Sequence, residues 1–388
     1  MKIKILMIDT GGWGGITHYT YNLMQALAAD SQVDCCLLTD EAYELDSLPR
    51  QFKIMKRPLN SREYMPALMM AIFAVLEYKP HIIHVQTMKT ARKDWFAFAL
   101  ARMFGLKVVL TAHNVLPHED SEKRALFMRT AFRIIYACSH RIIVHSKFSQ
   151  DTLSALFKIR RDKIRVIPHG NYLFFRTREM PKKEARQSLG LPQDKRIVLQ
   201  FGALREYKGL DILLDAFAQA RKAGVPALLL IVGKPINLDA GSVMQKIRLL
   251  GLEGGVVLKA EYIRFESIQT YFFSADVVVF PYKEIDMSGS LQLAYAFAKP
   301  VICARSGGLP EVVRDNENGL LVSPNDSADL AQAMERVLAS DDIIAKMGDA
   351  SYRIARDDLS WDRIAAATIR VYRDANRGMN GKEYTLHS

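Results

Sequence analysis

Apolar residues recur along this chain in two alternating rhythms. Compact runs such as residues 2–9, 107–112 and 227–232 are bounded by glycine or charged residues and read as strands buried on both faces. Between such runs the apolar positions fall three and four apart, as at Tyr19, Leu23, Ala26 and Leu27, which is the spacing of a helix with one buried side. The chain opens with a strand over 2–9, a turn holding Gly11, Gly12, Gly14 and Gly15, and a helix to about Ala29. Further strands are predicted at 81–85, 107–112 and 141–145. The rhythm breaks near Pro168. Residues 176–195 are polar and interrupted by Pro181, Gly190 and Pro192, so they read as a linker. Alternation then restarts, with strands at 197–201, 227–232, 256–259, 277–280 and 300–304, and a helix over 209–223. A helix spans 360–375, and the tail after Gly378 is expected to fray. The pattern predicts an α/β chain with two doubly wound, Rossmann-like parallel sheets in tandem, residues 1–175 and 176–360, sharing one cleft.

The 388 residues suffice for two or three domains, and with 49% hydrophobic and 24% charged residues they exclude a disordered or fibrous chain. No run approaches the roughly 20 apolar residues of a membrane span; the closest are 67–76 and 95–101. The N-terminus lacks the apolar segment of a signal peptide. Cys35, Cys36, Cys138 and Cys303 show no CxxC spacing, so neither a zinc site nor a disulfide framework is expected, and a reduced, cytoplasmic location is the default. The net charge of +11 is lopsided. Residues 1–180 carry 26 basic and 16 acidic side chains, against 27 and 26 in residues 181–388. One half therefore suits an anionic partner.

Ligands of doubly wound sheets bind at the carboxyl ends of the strands, so the loops there hold the candidate chemistry. Gly14 and Gly15 open a helix whose N-terminus favours an anion, though the same glycines serve a plain tight turn. In the segment 201–209, Gly202 is followed by Arg205 and Lys208, two cations three apart at a strand end, which suit a diphosphate or a solvated basic turn. In 280–290, Glu284 and Asp286 are paired acids for sugar hydroxyls, a metal or water. No His or acid cluster accompanies them locally, so no metal is expected. Ser288, Gly289 and Ser290 offer amides and hydroxyls to a phosphate, or an ordinary helix cap. A Gly-Gly turn at 307–308 leads to Glu311. In the first half, His113 closes the strand in TAHN, with His118 and Glu119 just beyond as acceptor-side candidates. VIPHGN closes that half.

Together these loops resemble the family-4 glycosyltransferases of the GT-B fold over nearly the whole chain. FGALREYKGLDILLDAF resembles the family's nucleotide-diphosphate loop, with Arg205 and Lys208 at the matching cations. GGLPEVV and NGLLV resemble its late C-domain signature, and DTGGWGGITHYTYNLMQAL its N-terminal glycine loop. TAHN resembles the strand end whose histidine approaches the donor sugar. The resemblance further implies that the last helix, 361–377, packs back on the first domain. One departure stands out. Where most members carry two glutamates, this chain has Ile285 and Leu293, neither able to accept a hydrogen bond. It resembles a subgroup lacking that pair, with Asp286 or Glu284 as substitutes for the first acid and Glu311 for the ribose contact.

The implied reaction moves a sugar from a UDP- or GDP-sugar to a hydroxyl, with retention and no protein nucleophile. Arg205, Lys208, the 288–290 amides and the first-domain glycines, Gly14 and Gly15, neutralise the departing diphosphate, which makes a metal dispensable; no cofactor is expected. The basic first half suggests a peripheral location on the anionic inner face of the plasma membrane and a lipid-linked or polysaccharide-precursor acceptor. Lys123, Arg124, Arg129 and Arg133, interleaved with Phe132 and Ile135, and Arg92, Lys93, Arg102 and Lys107 flanking another apolar stretch, are the candidate contact, against the alternative of a core helix with a wet basic face. No nucleic-acid reader module is present. A nucleotide-sugar epimerase and a catalytically inactive nucleotide-sugar-binding partner are the rival readings. A Rossmann oxidoreductase is the least favoured reading, because no GxGxxG with a downstream ribose acid is present.

Overall fold

A computed structural model describes residues 2–59, 64–86, 91–115 and 122–377. The chain divides into two compact units, Met1–Gly170 with the segment from Trp361, and Asn171–Ser360. The division falls after Gly170 because Tyr172 and Phe175 are buried in the second unit's core.

The first unit is built on seven parallel strands: β1 (Ile3–Asp9), β2 (Val33–Asp40), β3 (Lys53–Arg57), β4 (Ile82–Val85), β5 (Lys107–Thr111), β6 (Arg141–Val144) and β7 (Ile164–Val166). Their order is β3-β2-β1-β4-β5-β6-β7. The helices between them are α1 (Gly15–Ala28), α2 (Tyr64–Tyr78), α3 (Ala91–Met103), α4 (Glu122–Cys138) and α5 (Lys147–Phe157). Short strands with few apolar residues, such as β3 and β7, escape a reading by apolar runs, because their pairing and not their composition makes them strands.

The second unit begins with α6 (Lys182–Ser188) and continues β8 (Arg196–Phe201), α7 (Leu210–Lys222), β9 (Ala227–Val232), α8 (Ala240–Leu249), β10 (Val256–Lys259), α9 (Phe265–Ser274), β11 (Val277–Phe280), α10 (Gly289–Ala296), β12 (Val301–Ala304), β13 (Gly319–Val322), α11 (Ser327–Leu338) and α12 (Asp341–Arg353). Its six parallel strands run β10-β9-β8-β11-β12-β13. Successive strand residues enter opposite layers: Val198, Leu229, Val279 and Ile302 pack into one core, Leu199, Leu230, Phe280 and Cys303 into the other. Both faces are covered, which explains the continuous apolar run of β9.

The supposed linker at 176–195 is folded. It contains α6, whose Ala185 is fully buried, and Arg186 forms a buried ion pair with Asp276 at 2.6 Å. The polar residues there satisfy partners inside the fold instead of water. The final helix, α13 (Trp361–Arg377), belongs to the first unit and packs on α1. The expected frayed tail lies outside the described residues.

Candidate active site

In the second unit the strand order reverses between β8 and β11, which pair side by side. Loops 202–209 and 281–288 therefore leave the same end of the sheet at its switch point, where such folds bind ligands. Gly202 follows β8 at φ 110°. A Cβ there would lie 2.8 Å from Ser290 Oγ and 3.1 Å from Lys208 Nζ, so its bare backbone lets both side chains converge on it. Lys208 ends a short 3₁₀ turn, Glu206–Lys208, and is only 7% exposed. Burial, then the neighbouring Arg205, pulls its pKa down to about 8. Its ammonium lies 5.4 Å from the centre of the Tyr282 ring, a cation–π distance. Among the described residues no carboxylate pairs with it. An anion would relieve both penalties at once.

Ser288 is the N-cap of α10, yet its side chain makes no capping bond; the hydroxyl stands 3.4 Å from that of Tyr282. Gly289 and Ser290 form the first turn of α10. The loop before them is pinned by the Gly-Gly turn. Gly307 sits at φ 56°, and a Cβ there would overlap the Ile285 carbonyl oxygen. The Gly308 amide donates to the Asp286 carbonyl at 3.1 Å, and the Ser306 hydroxyl to that of Lys283 at 3.2 Å. Asp286 is buried, whereas Glu284 and Glu311 are exposed. Ile285 and Leu293 are both buried in the apolar core, which accounts for apolar side chains at these two positions.

The first unit shows a different pattern. The Gly14 amide, at the N-cap of α1, donates to Glu44 at 2.8 Å, and the Gly11 amide to Asp9 at 3.1 Å. Asp9 is fully buried and also accepts from the Thr17 hydroxyl at 2.7 Å. Gly15 begins α1 itself. His113 ends a chain of neutral rings. His145 Nδ1 faces the Ile167 carbonyl, so it carries the proton, and His145 Nε2 accepts from His113 Nδ1 at 3.1 Å. His113 Nε2 is then the acceptor and lies 2.9 Å from the Gln86 side-chain oxygen, so a bond there requires that amide turned with its NH2 towards the ring. His84 lies 2.7 Å from the Tyr372 hydroxyl of α13 and 2.8 Å from that of Thr111. Burial lowers His84 and His169 to about 3 and His145 to about 4, and holds His113 well below its ordinary value. Tyr19 packs against His113, His145, His169 and Trp361 at 4.9–5.2 Å between ring centres. Both nitrogens of His113 are thus engaged within the protein. It offers a fixed, uncharged ring and not a mobile proton.

Sequence reasoning singled out His113 but not Gln86, His84 or Tyr372, which fix the ring from other elements. A histidine inside the apolar strand 82–85 is the one local sign of them. His118 and Glu119 lie outside the described residues. On α4, Phe132 and Ile135 are buried while Arg129 and Arg133 are exposed, the arrangement of a core helix with a wet basic face. The side chains of Lys123 and Arg124 are outside the described set. Among the described residues no group of three His, Cys, Asp or Glu is placed to hold a metal, and no helix is long and apolar enough to cross a membrane.

Residues 13–171 match the family model described as Glycosyltransferase Family 4, and residues 195–340 the one described as Glycosyl transferases group 1. A D-inositol 3-phosphate glycosyltransferase of Streptomyces coelicolor is 27% identical over 94% of this chain and 87% of its own length. Its counterpart in Streptomyces bingchenggensis is 30% identical over 63% of this chain, a match spanning about half (55%) of that protein. The Anabaena protein HepE, solved in complex with UDP and glucose, shares the fold with a TM-score of 0.78 at 21% identity, over 96% of this chain and 100% of its own. With one matched glycosyltransferase domain in each half and a fold shared over nearly its full length, the chain belongs to the family-4 glycosyltransferases of GT-B architecture.

Proposed function

We propose that this glycosyltransferase takes its sugar from a nucleotide-diphosphate donor and delivers it to a hydroxyl of a lipid-linked or polysaccharide-precursor acceptor, with retention and without a metal. The observation that carries the reading is Lys208: a buried ammonium beside Arg205 and Tyr282, meeting Ser290 over the bare backbone of Gly202. Bond cleavage at the anomeric carbon puts negative charge on the departing diphosphate. Lys208 and Arg205 are placed to take it, and the Ser288, Gly289 and Ser290 end of α10 adds amide donors. UDP is favoured over GDP because the structural relative HepE was solved with UDP.

Asp286, the buried acid of the loop, is assigned to the sugar hydroxyls; Glu284, which is exposed, is not. Glu311 is assigned to the ribose. Gly14 and Gly15 shape the entry to α1, while His113 presents an oriented ring to the sugar and transfers no proton. Basic surface on the first unit suits the anionic inner face of a membrane. Isothermal titration with UDP, GDP and UDP-glucose tests the donor site. Saturable binding of UDP, lost in Lys208→Ala, supports it; equal binding by the variant rejects it. Tight binding without turnover across acceptors would turn the reading to an inactive binding partner, and conversion of UDP-glucose alone to an isomer would turn it to an epimerase.

A further inference from the structure

A hollow of about 370 Å³ lies in the first unit against α2 and α3. Ala71 and Val75 of α2, Ala101 of α3, Phe104 just after it, and Ile83 and Val108 of the sheet line it; every other lining residue is apolar too. Ile72, Leu76 and Phe104 line the hollow and are also exposed, Phe104 by 77%, so it opens to the surface between them. Met69, Phe73 and Met103 extend the apolar surface around its mouth and are likewise exposed. In the fifteen residues of α2 the only charged side chain is Glu77. A packed core fills spaces of this size, and soluble surfaces rarely concentrate apolar side chains in one place. Dry apolar cavities of this volume accept apolar molecules.

The stretch of sequence that supplies both helices carries the opposite character. Residues 51–108 hold ten Lys and Arg against three Asp and Glu; of the ten, Lys53, Lys56 and Arg57 pair with Asp34, Asp46 and Glu77. That stretch accounts for most of the chain's net charge of +11. Lys79 directly follows α2 and Arg102 stands in the last turn of α3; both are exposed. Each is within three residues in sequence of a side chain at the mouth, Leu76 and Phe104. An apolar slot with cations at its rim matches one chemistry: a hydrocarbon chain attached to an anionic headgroup.

We propose that this hollow holds the hydrocarbon chain of an anionic membrane lipid, with Lys79 and Arg102 at its headgroup end. Both cations precede strands, Lys79 before β4 and Arg102 before β5, so they stand at the amino ends of the sheet, opposite the carboxyl ends where ligands bind. The lipid is therefore an anchor and not the acceptor, and its occupancy does not depend on the function proposed above. The contact is thereby narrowed to α2 and α3, where Arg102 flanks the apolar stretch, and away from the basic face of α4, whose apolar side is used in the core.

The test uses the full chain, a dansyl-labelled undecanoic acid as probe, and vesicles of phosphatidylglycerol or phosphatidylcholine. Wild-type protein should bind the probe saturably with a blue shift, and should float with phosphatidylglycerol but not phosphatidylcholine vesicles. Ala71→Trp, which fills the hollow, and Phe104→Ser, which removes its apolar lip, should each weaken probe binding by about tenfold or more. Lys79→Glu with Arg102→Glu should abolish flotation. The UDP-induced thermal shift should persist in all of them, which separates this site from the donor site. If Ala71→Trp does not fold, Phe104→Ser decides alone, since an exposed side chain is not needed for folding. Absence of saturable probe binding by the wild type, or unchanged affinity in the folded variants, overturns the proposal. So does a concentration-dependent dimer that excludes the probe, which would assign the face to a second copy. A wild type that binds the probe but shows no UDP shift sinks the transferase reading and leaves the hollow standing.

Discussion

The loops after β1 and β8 occupy equivalent places in their sheets, each leaving a central strand beside the switch point and entering a helix through glycine. They differ in how their charge is met. After β1 the protein supplies its own anions: Asp9 takes the Gly11 amide, and Glu44 takes the Gly14 amide and reaches His18 at 3.2 Å. After β8 Lys208 meets no carboxylate among the described residues, and lies buried against an aromatic ring with Arg205 depressing its pKa further. The first loop meets anions of its own, whereas Lys208 in the second does not. This contrast supports the proposed assignment of the diphosphate to the second loop.

The largest expected effect tests that contrast directly. Lys208→Ala should lower kcat by about 10²–10³-fold with the fold intact, as for loss of one donor to a developing anion; near-normal steady-state rates would break the comparison. The two units should next separate by pH. The segment Asn171–Ser360 contains no histidine, whereas the first unit buries His84, His145 and His169 as neutral rings. With folded values near 3 to 4, these rings stay neutral while the unfolded chain takes up protons below about 6.5. Stability of the first unit is therefore full above that value and lost as pH falls towards 4, by up to about 1.4 kcal/mol per ring per pH unit. Calorimetry between pH 7 and 5 should show one transition moving down and the other holding; joint movement would contradict the assignment.

Gly307→Ala should cost about 1–3 kcal/mol, because the residue sits at positive φ against the Ile285 carbonyl. It should also raise KM for the donor, through displacement of Asp286 and Ser288; a melting curve and a kinetic assay read the two effects. A smaller signal comes from Lys208 itself. Its pKa near 8 should rise when a diphosphate binds, so UDP binding near pH 8 should take up roughly half a proton, and almost none at pH 6.5. Titration in buffers of different ionisation enthalpy measures this, and equal heats at pH 8 would count against Lys208 as the contact. The smallest effect is Glu44→Gln, expected to cost about 1 kcal/mol or less of stability and to leave UDP affinity unchanged. A marked gain in UDP affinity would return the anion site to the first loop.

The sheets were legible because buried parallel strands must be apolar throughout, as β9 is, and because glycine has to stand where Gly202 admits two side chains and Gly307 lets two backbones meet. The cations at 205 and 208 were legible from their place after a strand. What could not be read was pairing at a distance. Glu44 comes from thirty residues beyond Gly14, and Tyr372 meets His84 from the far end of the chain. Arg186 looked like part of a polar linker because its partner Asp276 lies ninety positions on. Local pattern registers a side chain's character but not the residue that satisfies it. The same limit hid the hollow under α2 and α3, since apolar helices usually mean a filled core.

Because α13 completes the unit that β1 begins, the first unit is interrupted in the chain by the whole of the second. During synthesis its sheet emerges early but Tyr372, the partner of His84 on α13, emerges only after the whole second unit. The second unit can mature as it appears, while the first must wait, with His84 lacking Tyr372 and the Tyr19 ring lacking Trp361. Nascent chains stalled before residue 361 should accordingly hold one finished unit and one still open to chaperones.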